Sequence, residues 1–251
     1  MKHTIPILDF DSDPKAIIRP RRIANTTIKR AVLSFFWEAV GEYANAHHLK
    51  LLASFKSEMP DIPLYVDETK QFLLAPMPVG APMAGAILEQ IIALGVERIV
   101  VCGGAGVLDA IPLGNILIPT QAIRDEGTSY HYMEASQIAK PDETMLQETC
   151  DYFDKNEIPY SKVTTWTTDG FFRETPQKIS LRKEQGASCV EMEASALFAI
   201  AQFRGVSMVQ LLFSGDDVSG EKWDKRNWNK QFDTRRNLLN LSISICNLEL
   251  F

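Results

Sequence analysis

The chain has 251 residues, of which 45% are hydrophobic and 23% are charged, and its formal net charge is −6. These proportions are ordinary for a globular protein, and the length is ample for one sizeable core. An acidic balance argues against nucleic acid or an anionic membrane surface as the main partner. No apolar stretch approaches the roughly 18 residues that a membrane span needs, so we expect none.

The four cysteines are widely spaced, with no CxxC pair and no histidine nearby; they are Cys102, Cys150, Cys189 and Cys246. This spacing argues against a zinc site and against a disulfide scaffold. The first residues are too poor in apolar side chains for a signal peptide. We therefore expect a cytoplasmic protein with reduced cysteines and no bound metal.

Helical and extended patterns alternate along the chain, which predicts an α/β fold with a largely parallel central sheet. No linker or repeat interrupts this pattern, so we expect a single domain over residues 1–251. The expected helices cover residues 32–48, 84–94, 145–156, 194–203 and 226–248. The expected strands cover residues 51–56, 64–66, 71–76, 98–102, 116–119, 162–168, 188–192 and 207–213.

Two glycine-containing segments are candidate ligand contacts. The run Gly103-Gly104-Ala105-Gly106 follows an expected buried strand, and glycines there allow a ligand to approach backbone N–H donors. Its spacing differs from a dinucleotide fingerprint, and a tight turn is the alternative interpretation. Gly80 precedes an expected helix, whose N-terminus could hold an anion, although this segment alone favours a plain connection.

Two glutamates near the end of an expected strand form a candidate sugar site. Glu191 and Glu193 are two residues apart, so on extended backbone they share a face, with Met192 opposite. A fixed carboxylate can accept hydrogen bonds from both hydroxyls of a ribose. The alternative is an exposed acidic strand end, but the flanking residues are apolar, and unpaired charges are costly there.

Asp216 and Asp217 end the last apolar run before the terminal segment. One of two adjacent acids can have its pKa raised by burial and by its neighbour's charge, and so act as a general acid. A helix cap or a turn is the alternative. Phe171, with Phe172, follows an expected strand and turn, where an aromatic ring could stack on a planar base or anchor the core.

At these motifs the chain resembles a known family. The segment Val190-Glu191-Met192-Glu193-Ala194-Ser195-Ala196-Leu197-Phe198 is similar to the VEMEA-type segment of the nucleoside phosphorylase superfamily. That superfamily includes uridine phosphorylase, hexameric purine nucleoside phosphorylase and methylthioadenosine nucleosidase. Three further segments resemble family motifs in the family's order, so that the resemblance covers residues 71–218; they are Gly80-Ala81-Pro82, Gly103-Gly104-Ala105-Gly106-Val107-Leu108 and Arg124-Asp125-Glu126-Gly127-Thr128-Ser129-Tyr130-His131-Tyr132.

The resemblance implies a single α/β domain with a twisted, mixed, barrel-like central sheet flanked by helices. It implies cleavage of the N-ribosidic bond of a nucleoside, no metal or organic cofactor, and assembly as a homo-oligomer. In this chain Glu193 would hold the ribose 2′- and 3′-hydroxyls, and Met192 would pack beneath the sugar. Phe171 would stack near the base, and Asp216 would protonate a departing purine. Glu191, Gly80 and Gly104 complete the candidate substrate-binding set.

The positions at which family phosphorylases hold phosphate read differently here. Where the family has its N-terminal G-D-P-x-R motif, this chain has Ser12-Asp13-Pro14-Lys15-Ala16, so the arginine of the motif is missing. Where the family has a second phosphate-binding arginine, before the glycine loop, this chain has Val101. The family's hydroxyl positions carry Met83 and Gly104. A phosphate dianion needs several donors to offset its desolvation.

The sequence therefore leaves two possible nucleophiles for the reaction. One is water; the other is phosphate as a co-substrate, held at a site rebuilt from unaligned arginines such as Arg19, Arg21 or Arg22. A non-catalytic nucleoside-binding protein that has lost the phosphate site is the alternative from another functional class.

Overall fold

The computed structural model describes residues 3–58 and 60–248. Within this part of the chain, ten strands form one continuous mixed sheet, and six α-helices flank it. The strands are β1 (Arg30–Ser34), β2 (Lys50–Phe55), β3 (Ile62–Asp67), β4 (Phe72–Pro76), β5 (Arg98–Val107), β6 (Ile116–Asp125), β7 (Ile138–Ala139), β8 (Tyr160–Thr168), β9 (Ala187–Glu191) and β10 (Ser207–Asp217). The helices are α1 (Trp37–Ala46), α2 (Ala81–Ala93), α3 (Glu143–Lys155), α4 (Pro176–Glu184), α5 (Ala194–Arg204) and α6 (Phe232–Cys246).

Five of the strands close into a barrel, because β10 pairs with both β6 and β5. The order around the barrel is β10, β6, β8, β9, β5. Strands β1, β4, β3 and β2 extend the sheet from β5. Parallel pairs (β1–β4, β1–β5, β5–β10, β6–β8 and β8–β9) mix with antiparallel ones such as β5–β9 and β6–β10. The expected twisted, mixed, barrel-like α/β fold is confirmed, and the sheet is less parallel than strand–helix alternation alone predicts.

Apolar side chains fill both faces of the sheet. One buried cluster joins β1, β4 and β5 to α2 and α5, and a second joins β1, β5 and β10 to α1, α3 and α6. Sheet strands covered on both faces are apolar without alternation, as the sequence of β5 predicts. Among the described residues, no helix combines the length and the apolar character that crossing a bilayer requires.

The expected helix over residues 32–48 is wrong in its first part. Residues Arg30–Ser34 form strand β1, which pairs with β4 and β5, and helix α1 begins only at Trp37. A short apolar run fits a buried strand and a buried helix equally well, so periodicity could not separate them.

Other elements also differ from the expectation. Strand β5 continues through the glycine run to Val107, so that run is strand and not a turn. Helix α6 begins at Phe232 and not at 226, because Arg226 and Asn227 have φ values of 43° and 50°, which break a helix. Helix α4 (Pro176–Glu184) was not expected, and its mostly polar sequence gives little apolar periodicity.

Candidate functional site

A cavity of 430 Å³ brings together residues from β5, β9 and β10, from the turn after β1 and from the segment after β10. Five of the seven candidate residues line it: Glu191, Met192, Glu193, Gly104 and Asp216. The two acidic segments that are far apart in sequence therefore face one space. Apolar walls with a few polar groups are typical of small-molecule sites.

Glu193 lies at the first turn of α5, where it is 6% exposed. Its Oε1 accepts a hydrogen bond of 2.5 Å from the backbone N–H of Gly80, at the start of α2. Gly80 has a φ of 100°, which favours glycine, so this residue permits the turn that directs its N–H at the carboxyl group. Gly80 thus positions Glu193 and does not itself line the cavity.

The environment of Glu193 favours its protonated form. Burial and the negative charge of Glu191 raise the pKa of Glu193 to about 8, against an ordinary value of 4.5. The hydrogen bond from Gly80 acts in the opposite direction but is outweighed. At neutral pH the carboxyl group can therefore donate one hydrogen bond as well as accept others.

Glu191 is a buried support for this arrangement. Its Oε2 accepts hydrogen bonds from the backbone N–H groups of Glu193 (2.7 Å) and Ala194 (2.6 Å), so it caps the start of α5. Its Oε1 accepts from the hydroxyls of Thr167 (2.6 Å) and Thr165 (3.3 Å). Burial raises the pKa of Glu191 although these hydrogen bonds oppose the shift. With both oxygens occupied, the side chain fixes the strand-to-helix turn that presents Glu193.

Gly104 lines the cavity, and close packing explains why this position is a glycine. A Cβ at this position would lie 3.0 Å from Cε1 of Phe213, closer than ordinary van der Waals contact. The same holds one residue earlier, where a Cβ on Gly103 would lie 3.0 Å from the ring of Phe35. Both glycines admit aromatic rings that form part of the cavity wall.

Asp216 and Asp217 have different surroundings. Asp216 lines the cavity, and its Oδ2 accepts a hydrogen bond of 2.6 Å from the indole N–H of Trp223. Asp217 accepts from the backbone N–H of Ser219 at 2.8 Å and forms an ion pair with Arg226. Burial acts to raise the pKa of Asp217, but the Ser219 hydrogen bonds and the charge of Arg226 outweigh it, so the net pKa is lowered. Asp217 therefore stabilises the segment after β10, whereas Asp216 lines the cavity.

Glu174 is a further carboxyl group near Asp216. Burial and the negative charge of Asp216 raise the pKa of Glu174 to about 7. Phe171, in the same connection after β8, is 52% exposed and packs on Phe172, with ring centroids 4.1 Å apart. Phe171 does not line the cavity, so its contact with a base stays a prediction.

Of the described residues that line the cavity, Arg235 of α6 is the only one with a positive charge, and it is paired only in part, because its buried Nε has no hydrogen-bond partner among the described residues. Its guanidinium forms an ion pair with Glu38 and lies 5.5 Å from the ring centroids of Phe36 and Trp228. Val101, which stands where family phosphorylases have their second phosphate-binding arginine, is fully buried within β5.

The N-terminal segment compared with the phosphate motif lies elsewhere. Residues 12–16 are exposed, and the carbonyl of Pro14 accepts a hydrogen bond from Arg204 at the end of α5, away from Glu193 at its start. Arg19, Arg21 and Arg22 are also exposed, and none of them lines the cavity.

Several residues of the site were missed in the sequence. Gln210 interrupts the apolar run of β10, and that single polar residue was a signal that could have identified it. Thr167, Trp223 and Arg235 gave no such signal, because each reaches the site through a contact distant in sequence or through an irregular loop.

Comparisons with known proteins agree with this fold. A guanosine phosphorylase of Halorubrum lacusprofundi is 29% identical over 129 residues, which cover 51% of this chain and 54% of that protein. The chain thus spans about half the length of this curated relative.

Two solved structures share the fold. A purine nucleoside phosphorylase of Toxoplasma gondii has a TM-score of 0.77 at 16% identity, covering 92% of this chain and 97% of that one. An AMP nucleosidase of Bacteroides thetaiotaomicron has a TM-score of 0.71 at 20% identity, covering 87% of each chain. Residues 41–244 match the sequence model of the phosphorylase superfamily, and the chain belongs to that family.

Proposed function

We propose that this protein cleaves the N-glycosidic bond of a purine nucleoside and that water is the nucleophile. The observation that carries the proposal is the placement of Glu193 and Asp216 on one cavity, in which the only cation among the described lining residues, Arg235, already forms an ion pair with Glu38. Family membership supports the reaction class, and the name of the guanosine phosphorylase relative supports a purine.

The sugar end of the mechanism rests on Glu193 and Met192. The Glu193 carboxyl group hydrogen-bonds the ribose 2′- and 3′-hydroxyls, and Met192 packs beneath the ring. As the bond to the base stretches, positive charge develops on the sugar, and the partly negative carbonyl oxygen of the Glu193 carboxyl group stabilises it. The backbone N–H of Gly80 and the cap formed by Glu191 hold Glu193 in place for this role.

At the base end, Asp216 donates a proton to the departing purine. Protonation makes the base a better leaving group, and a positioned general acid typically contributes about 10²–10⁴-fold in rate. Glu174 lies near enough for the charge of Asp216 to raise the pKa of Glu174 to about 7.

The side chains around the glycine run of β5 favour water over phosphate as the nucleophile. The rings of Phe35, Phe36 and Phe213 line the cavity, and Arg235 is ion-paired with Glu38. A phosphate dianion placed against such a wall would lose its hydration without enough donors to replace it. We also propose a homo-oligomeric, cytoplasmic enzyme that needs no metal or organic cofactor.

The test is release of free base from a panel of purine and pyrimidine nucleosides, with and without inorganic phosphate. We expect guanosine- or adenosine-type substrates to release base at the same rate in both conditions and to yield free ribose. Base release that depends strictly on phosphate and yields ribose 1-phosphate contradicts the hydrolytic assignment. Tight nucleoside binding without base release in either condition contradicts the enzymatic one.

A further inference from the structure

Gln210 is a buried polar residue in the wall of the cavity that holds Glu193. It lies in the middle of β10, is 1% exposed, and pairs in register with Val101 of β5. The neighbouring side chains of β10 that line the cavity, Leu212 and Phe213, are apolar. Gln210 is thus an isolated amide within an otherwise apolar part of the wall.

The Oε1 atom of Gln210 has no hydrogen-bond partner among the residues that the structure describes. Burying an amide oxygen without a partner destabilises a fold, and native proteins tolerate few such groups. A hydrophobic residue at this position would extend the surrounding core at no such cost. Six other buried side-chain atoms of the described residues also lack a hydrogen-bond partner, but apart from Nε of Arg235 none belongs to a residue that lines this cavity. The place of the Gln210 amide in the cavity wall therefore favours a ligand as its partner.

We propose that Gln210 positions the attacking water for the reaction, an inference that rests on the hydrolytic function proposed above. The water donates one hydrogen to Oε1 of Gln210, which directs an oxygen lone pair toward the anomeric carbon of the ribose held by Glu193. A neutral amide suits water because it has one acceptor and one donor group and brings no charge. It offers too little to compensate the charge of a phosphate dianion.

The reaction balances without a further reactant. The carbon–nitrogen bond breaks and its electron pair leaves with the base, which takes a proton from Asp216. The water oxygen forms the new bond to the anomeric carbon and then releases one proton to solvent. Asp216 regains a proton from the same solvent, so nucleoside and water give ribose and free base.

The decisive variant is Gln210→Met, which keeps length and volume but removes the amide. We expect kcat for base release to fall by about 10²-fold, the typical effect of misplacing a reacting group, while KM changes less than about threefold. We also expect the melting temperature to equal or exceed that of the wild type, because an unpaired buried acceptor is lost. A merely structural glutamine would give the opposite change in stability.

Gln121→Met is the matched control. Gln121 is half-buried on β6, and its Nε2 donates a hydrogen bond of 3.0 Å to Thr164 outside the cavity. This variant loses a satisfied hydrogen bond, so we expect a small loss of stability and an unchanged kcat. Gln210→Glu, which keeps an acceptor oxygen in the same place, should retain more activity than Gln210→Met.

Product partition in water–methanol mixtures gives a readout that stability does not affect. The wild type should form little methyl riboside because the positioned water excludes methanol, whereas Gln210→Met should form it in proportion to the solvent. If the wild type releases base without phosphate and Gln210→Met retains its kcat and partition, the role of Gln210 is overturned and the function stands. If the wild type requires phosphate, the hydrolytic function fails and the water assignment fails with it.

Discussion

The indole N–H of Trp223 donates a 2.6 Å hydrogen bond to Oδ2 of Asp216. Trp223 belongs to the segment after β10, and this segment is held to the strand by reciprocal backbone hydrogen bonds between Asp217 and Asp224. Both oxygens lie close to Gly106, since a Cβ added to that glycine would lie 3.6 Å from Oδ1 and 3.7 Å from Oδ2. Because Trp223 already donates to Oδ2, we expect Oδ1 to be the atom that meets a substrate.

Replacing Asp216 with asparagine tests the proton-donor role. We expect Asp216→Asn to lower turnover of a purine nucleoside by at least about 10²-fold, because the amide cannot supply the proton. Asp217→Asn is the matched control, since Asp217 pairs with Arg226 and does not line the cavity. Steady-state kinetics of base release compare the two, and equal losses in both variants would remove Asp216 from the mechanism.

Trp223→Phe tests whether the indole N–H orients Asp216. An aromatic ring is kept and one hydrogen bond to a carboxylate is lost, and since Trp223 is 57% exposed we expect a loss of about tenfold in kcat, not more. Trp37→Phe is the control, because the Trp37 indole donates to the carbonyl of Met77 outside the cavity lining. A Trp223→Phe enzyme with wild-type kcat would show that Asp216 needs no such support.

The two ends of the site could be predicted from the sequence because each lies where an apolar strand pattern stops. Glu193 follows β9 and Asp216 lies near the end of β10. These two strands run in opposite directions, and their ends meet because both pair with the last residues of β5. The different roles of Glu191 and Glu193 could not be predicted. The pairing of Glu191 with Thr167 depends on the register between β8 and β9, and a sequence pattern does not contain that information.

The sequence also did not reveal which segments line the part of the cavity where a phosphate would bind, because that depends on how distant segments pack. Residues 12–16 carry a local similarity to the phosphate motif, yet they lie on the surface beside Arg204. The turn that does reach the cavity is Phe35–Phe36, and it was hidden inside an expected helix. Because this short apolar run was interpreted as a helix and not as a strand followed by a turn, part of the cavity wall was not predicted.

The raised pKa of Glu193 predicts a pH-dependent stability. Below about pH 4.5 the carboxyl group is protonated in both the folded and the unfolded chain, whereas up to about pH 8 only the folded protein keeps the proton. Its contribution to stability is therefore present at low pH and is lost as the pH rises through that window. Glu193→Gln keeps an acceptor for the N–H of Gly80 but cannot ionise.

We expect Glu193→Gln to be more stable than the wild type by on the order of 5 kcal/mol at pH 9, with little difference at pH 4. Urea unfolding at the two pH values measures the difference. Above about pH 8 the binding of nucleoside should weaken in this variant, because the ionised wild-type carboxylate accepts on both oxygens and the amide accepts on only one of its polar atoms. A stability difference that does not change with pH would show that folding does not raise the pKa of Glu193.

Glu191→Ala tests the cap beneath the site. Removing this side chain leaves the backbone N–H groups of Glu193 and Ala194 and the hydroxyl of Thr167 without their acceptor, so we expect a loss of about 2–4 kcal/mol. Glu97→Ala is the control, because its ion pair with Lys29 is exposed and is worth less than about 1 kcal/mol. Denaturant unfolding gives both values, and hydrogen exchange should be faster at the amides of Glu193 and Ala194 in Glu191→Ala alone. If the two variants lose equal stability, Glu191 does not hold the turn, and the placement of Glu193 depends on Gly80 and on the packing of α5.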